Sequence, residues 1–259
     1  MRNPTFWSLA LLAAFAGASA SPAGEDENLK QYQRVAGLKL AEGHALQVEY
    51  YPNSDRAKVL TPVNAEGKPD GLQVHKIQWG WTVERKVTFR NGLRDGVEQV
   101  FETATLDGKQ VTYLASEIPW REDVVQGVKK NFHPDGKLKD EVPMKDGRPE
   151  GLSKSFDAAG RPTRVTTYAG GKREGPLTDY WPGADTPKRV VTYAQGRAEG
   201  VAREYARDGK LAREIECRAG AYHGVEKLYA PDGSVEKTRY WLHDEKVAKD
   251  VFDAKFKAE

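Results

Sequence analysis

The chain has 259 residues, of which 39% are hydrophobic and 30% charged. That composition is too apolar for a disordered chain and polar for a compact globule. Lys plus Arg is 40 and Asp plus Glu is 38, a net charge of +2, so there is no whole-chain case for binding nucleic acid.

Arg2 precedes an apolar run, Phe6 to Ala16, and Ala18-Ser19-Ala20 reads as an A-x-A cleavage site. The run is short for a membrane span. Residues 1–20 are therefore expected to be a signal peptide, cleaved near Ala20, which places the mature chain in the periplasm or outside the cell. Residues 21–42 form an N-terminal segment, with Ser21 to Asn28 expected to be mobile. One or two degenerate strands are expected between Glu42 and Asn64.

From there the chain is punctuated by glycine. Asp70-Gly71, Asp95-Gly96, Gln126-Gly127, Glu150-Gly151, Glu174-Gly175, Glu199-Gly200 and His223-Gly224 align, with steps of 25, 31, 24, 24, 25 and 24 residues. A second Gly stands four residues earlier in all but the Gln126-Gly127 unit. Five residues after most of the aligned glycines comes an aromatic: Phe101, Phe132, Phe156, Tyr180, Tyr205 or Tyr229. Turns such as Asp135-Gly136, Asp208-Gly209 and Asp232-Gly233 follow. Gly accepts positive φ without steric cost, and Asp-Gly suits a tight hairpin turn. The segments between turns are short and many alternate apolar with polar, as strands do. The expected fold is all-β: an elongated antiparallel β-meander of tandem hairpins, about 24 residues each, over residues 43–243. Two places depart from the pattern, Trp120 to Gln126 and Pro182-Gly183.

After Tyr240-Trp241 the glycine positions are lost. Val247, Val251, Phe252 and Phe256 fall near helical spacing, so residues 244–259 are expected to be a helical cap, with the helix from about Asp244 to Lys257.

Period-2 alternation sorts the side chains. On the first strand of each unit the middle position is Gln99, Lys130, Lys154, Thr178, Arg203 or Lys227. On the second strand the row reads Asp140, Arg164, Arg189, Arg213 and Lys237, flanked by Tyr168, Tyr193 and Trp241. The expectation is one face, apolar at its margins and basic along its middle. Lys and Arg stems packing over rings explain such a row. So does a groove for an acidic partner, a phosphate headgroup or a glycan. The candidate partner-binding residues are Lys130, Lys154, Arg164, Tyr168, Arg189, Tyr193, Arg203, Arg213, Lys227 and Lys237, with Trp120 in the irregular unit.

No catalytic constellation stands out. His44, His75, His133, His223 and His243 lack metal-ligand spacing, and there is neither a P-loop nor a Gly-x-Ser-x-Gly motif. Cys217 is the only cysteine, which rules out an intrachain disulfide and suits a small buried hydrophobe. No catalytic residue, metal or cofactor is expected.

The stretch GRAEGVAREYARDGKLAREIECRAGAYHG resembles the MORN-type repeats. It is closest to the bacterial variant found in proteins labelled as toxin–antitoxin antitoxin components. The likeness runs from Gly67 to Asp244 and weakly from Gly43. It implies a binding module rather than an enzyme. One form would be a periplasmic immunity protein neutralising an envelope-targeting toxin. The alternative it implies is an envelope scaffold or anionic-lipid surface module, with an envelope-polymer hydrolase as a third reading.

Overall fold

The computed structural model describes residues 22–54, 56–76 and 82–256. The expected signal peptide lies outside them. Among the described residues the chain forms one long, open antiparallel sheet of 21 strands, with a helix at each end. Consecutive strands pair, so the sheet is a meander.

Two kinds of corner alternate along it. From Gly92 onward the tight corner lies at the first glycine of each Gly-x-x-x-Gly, whereas Gly67 closes a wide corner. Asp146-Gly147, for example, joins Lys145 to Arg148 with φ of 50° and 74°. Positive φ at both central residues marks the turn whose twist matches paired strands. Asn91-Gly92, Asp107-Gly108, Gly170-Gly171, Gln195-Gly196 and Ala219-Gly220 repeat it. The wider corner is the Asp-Gly turn. There only the Gly of Asp135-Gly136 has positive φ, and His133 and Lys137 are bonded across the loop. The Asp-Gly pairs read as tight turns are thus mostly the wide ones. The exception is Asp107-Gly108.

The glycine that opens each first strand follows a one-residue bulge. Glu150 N donates to Pro143 O at 2.9 Å, and Gly151 then starts Gly151–Phe156. A second register shift comes between Ser155 and Phe156. The 31-residue step is a long hairpin, Gly96–Leu106 paired with Lys109–Arg121. Its extra length lies at the Asp107-Gly108 end, not at Trp120 to Gln126. That stretch keeps the tight turn, with Glu122 and Asp123 at φ of 49° and 65°. Asp123 stands where the glycine is lost, and its carboxylate accepts the Arg94 amide at 3.0 Å.

Both ends carry helices. Instead of a mobile stretch, Pro22–Ala36 is a helix, α1. Tyr32, 2% exposed, packs with Ala57, Leu60 and Val74, and Leu72 joins that cluster. The two degenerate strands expected before Asn64 are Ala45–Tyr50 and Ala57–Val63. At the other end Glu245–Val247 is still a strand, and the cap, α2, begins later than expected, at Lys249–Phe256. Val247 therefore belongs to the sheet. Phe252, 6% exposed, lies 5.1 Å from the Tyr240 ring, centroid to centroid.

Candidate functional site

Cross-strand partners share a face, so register decides which predicted residues meet. Lys154 pairs with Val165, and Arg164 pairs with Ser155. Lys154 and Arg164 therefore point to opposite sides of the sheet. The same holds along the array. Arg164, Arg189, Arg213 and Lys237, with Tyr168, Tyr193 and Trp120, lie on what is here called the front face. Lys130, Lys154, Arg203 and Lys227 lie on the back face. The single basic face expected from the sequence is two rows back to back.

Neither row stands as a run of open cations. On the front, acidic residues of the first strands sit between the arginines. Asp179 pairs in register with Arg164 and Arg189, and Glu204 with Arg189 and Arg213. Arg164 Nε meets Asp179 at 2.6 Å, and this hydrogen bond raises its pKa despite partial burial. Arg213 reaches Glu204 at 3.0 Å and Glu226 at 2.6 Å. On the back, Lys154 meets Glu141 at 3.1 Å and Arg203 meets Glu214 at 2.8 Å. Lys130 stands opposite Glu117 and Glu141, and Lys227 opposite Glu214. The Glu214 carboxyl is held below its usual range, first by the Tyr229 hydroxyl and then by Arg203. Lys237 is exposed opposite Leu228.

The front face buries a central row that includes Ser153, Thr166, Leu177, Val191, Ala202 and Ile215. Tyr193, Tyr222 and Trp241 pack against its apolar part, with Cys217 among them. Burial raises the Cys217 thiol pKa, so the sulfur is a packing group. Arg173 lies over the Tyr193 ring at 4.9 Å, and Tyr168 pairs with Gly151 across the strands. Trp120 is tied down rather than offered to solvent. Arg94 lies 3.6 Å from its ring centroid, and its indole donates to Glu98 at 2.7 Å. Glu98 and Glu226, 4% and 1% exposed, are the residues the sequence reading missed. Each is a carboxylate on the buried row, bonded by a Trp indole and an Arg.

The back face differs. A row of small apolar residues runs along it beside the tight corners. Leu72 pairs with Thr88, Val97 with Pro119, Val128 with Pro143, Leu152 with Thr167, Pro176 with Thr192, and Val225 with Tyr240. α1 covers its first end at Leu72, and α2 its last end at Tyr240. Between them Val97, Val128 and Leu152 are 47%, 43% and 46% exposed. Among the described residues no cluster of His, Cys, Asp and Glu is arranged to hold a metal ion, and no helix is long and apolar enough to cross a membrane.

The family described as MORN repeat variant matches residues 125–146. These span the bulge at Gln126-Gly127 and one complete hairpin, up to the first residue of the next tight turn. The match supports a MORN-type repeat protein. The same corner chemistry recurs in the units on either side of it. No curated protein matches the chain significantly. Among solved structures, similarity is found to S. aureus TarM, and to a TarM mutant in complex with Fondaparinux, alpha-GlcNAc-glycerol and UDP. Each is 12% identical with a TM-score of 0.29, over 42% of this chain and 22% of the other. The chain thus spans about a fifth of the length of those proteins, and a likeness of that size establishes neither fold nor activity.

Proposed function

We propose that this chain is a protein-binding repeat scaffold whose partner lies on the back face between the two helices. The observation that carries the reading is the bare apolar row at Val97, Val128 and Leu152. Uncovered apolar rows of this kind mark interaction surfaces. The chain covers the two ends of the same row with helices of its own. A partner presenting an apolar helix would continue that packing across the gap. The Lys154–Glu141 and Arg203–Glu214 pairs on the same face supply polar contacts at its rim.

The leader-like run Phe6 to Ala16 supports export. Together with the MORN-type resemblance it favours a partner met in the envelope, such as a secreted toxin neutralised there. The anionic-membrane alternative has less behind it, because half of the cations in the two rows hold close ion pairs with neighbouring carboxylates.

The test is co-purification from the native envelope with wild type and with a Val128→Glu, Leu152→Glu double variant. Both side chains are largely solvent-facing, so thermal stability is expected to stay within about 1 kcal/mol. A bound protein retained by wild type should be lost from the double variant, with affinity down at least about tenfold for each position. Equal retention by both would sink the reading. Salt-sensitive binding to anionic vesicles by the double variant would favour the membrane alternative.

A further inference from the structure

On the front face, where the wide corners begin, lies an open groove of about 660 Å³. Its walls include Arg164, Asp179, Trp181, Lys188, Arg189 and Glu204. The register shift between Asp179 and Tyr180 makes room for Lys188 as an extra residue beside Arg189. A groove of this size is in the range that takes small ligands.

The ion pairing in it is uneven. Arg189 stands in register between two acids, Asp179 and Glu204. Each acid has its short contact elsewhere. Asp179 is held by Arg164 at 2.6 Å, and Glu204 by Arg213 at 3.0 Å. Arg189 is left 3.8 Å from Asp179, and its Nε is secluded from solvent without a hydrogen-bond partner. Lys188 adds a second cation, 5.0 Å from the centre of the Trp181 ring. The indole is itself fixed, donating to Tyr205 O at 3.0 Å. A guanidinium that closes no short ion pair, a nearby ammonium and an anchored aromatic wall make a receptor for a planar anion. A carboxylate matches the guanidinium fork better than a spherical anion does.

We propose that this groove binds a small ligand bearing a carboxylate, taken up by Arg189 with Lys188 beside it. Asp179 is then a competitor for Arg189, which gives the proposal a sign that a merely structural ion pair would not have. Removing the Asp179 charge frees Arg189 and should tighten binding, although it removes an ion pair.

The experiment is a two-dimensional NMR titration of the folded chain with glucuronate, with glucose as the uncharged match and chloride as the spherical anion. Glucuronate should shift the amides of residues 179–189 and the Trp181 indole, while glucose should not. Arg189→Gln should weaken glucuronate at least tenfold, and Arg189→Lys should weaken it less. Asp179→Asn should tighten it severalfold, and circular dichroism would confirm that each variant is folded. The proposal is overturned if glucose shifts the same signals, or if chloride binds as tightly as glucuronate. It is also overturned if glucuronate perturbs only other parts of the sheet, or if Asp179→Asn leaves its affinity unchanged or lower.

Discussion

Glu226 accepts a hydrogen bond from the Trp241 indole at 2.9 Å, while only 1% exposed. Arg213 closes on the same carboxylate at 2.6 Å, and Arg239 at 3.4 Å. A buried charge is tolerable only when its lone pairs are taken up in this way. Glu98 and Trp120 repeat the arrangement near the other end of the array. In the units between them the Trp is replaced by Met144, Tyr168, Tyr193 or Cys217, and the Glu by a neutral side chain or Lys129. Glu226→Ala strands two arginines on a buried row. It is expected to cost about 3–5 kcal/mol by urea denaturation, the usual loss for breaking a buried pair. A loss under about 1 kcal/mol would mean that the row hydrates easily.

The same carboxylate sets an acid limit. Burial works against ionisation at Glu226, but the Trp241 indole and then the arginines outweigh it and hold the pKa below its usual value. A carboxyl with a depressed folded pKa stabilises fully above its unfolded pKa, and that contribution is lost as pH falls through the folded value. Stability should therefore be level above about pH 5 and decline below about pH 4.5. Glu226→Gln should flatten that decline in melts recorded across the range.

Successive units are tied at the tight corners. Glu150 accepts the Gly170 amide at 2.6 Å, Glu174 that of Gln195 at 2.8 Å, and Glu199 that of Ala219 at 2.8 Å. Gln126 does the same for Asp146 at 2.9 Å. Beside each tie a backbone amide bonds back to the preceding unit, as from Gly171 to Pro149 O at 3.0 Å. Glu150→Ala should cost about 1 kcal/mol, typical for one charged hydrogen bond near solvent. Faster amide exchange at Gly170 would place the loss at that corner. Glu150→Gln, which keeps an acceptor, should recover most of it.

Gly224 is the glycine least able to change. Its φ is +134°, and a Cβ there would lie 2.5 Å from Glu216 Cβ. Gly209 has a positive φ too, but its nearest neighbour would be Thr186 Cγ2 at 3.7 Å. Gly224→Ala is therefore expected to lower stability by about 2–3 kcal/mol and Gly209→Ala by about 1 kcal/mol. Equal losses at the two sites would show that backbone strain, not crowding, sets the cost.

Much of this fold was legible in the sequence because corners are local. A glycine every 24 or 25 residues, with an acidic or polar neighbour, specifies where the chain turns without reference to anything distant. Face membership was not legible, because it relates two strands through a corner and a bulge. One extra residue at Lys188 or Thr163 changes which side chains meet. That is why Lys154 and Arg164 were expected together and lie back to back. Asp179 and Glu204 hid for the same reason: they belong to first strands, and become neighbours of the arginines only once the strands interleave. α1 did leave a signal. Pro22 stands at its start, Glu25, Asp26 and Glu27 fill its first turns and Arg34 its last, a charge order that suits a helix. Its polar composition masked that order.

Every tie described at the tight corners joins a unit to its immediate neighbour and no further. Nothing in the middle of the sheet depends on how many hairpins precede it, and only the two terminal helices need a particular neighbour. Duplicating or deleting a whole hairpin would leave each remaining joint intact. The number of repeats is thus free to vary by gene duplication, and with it the span of the bare row and the size of partner it can hold.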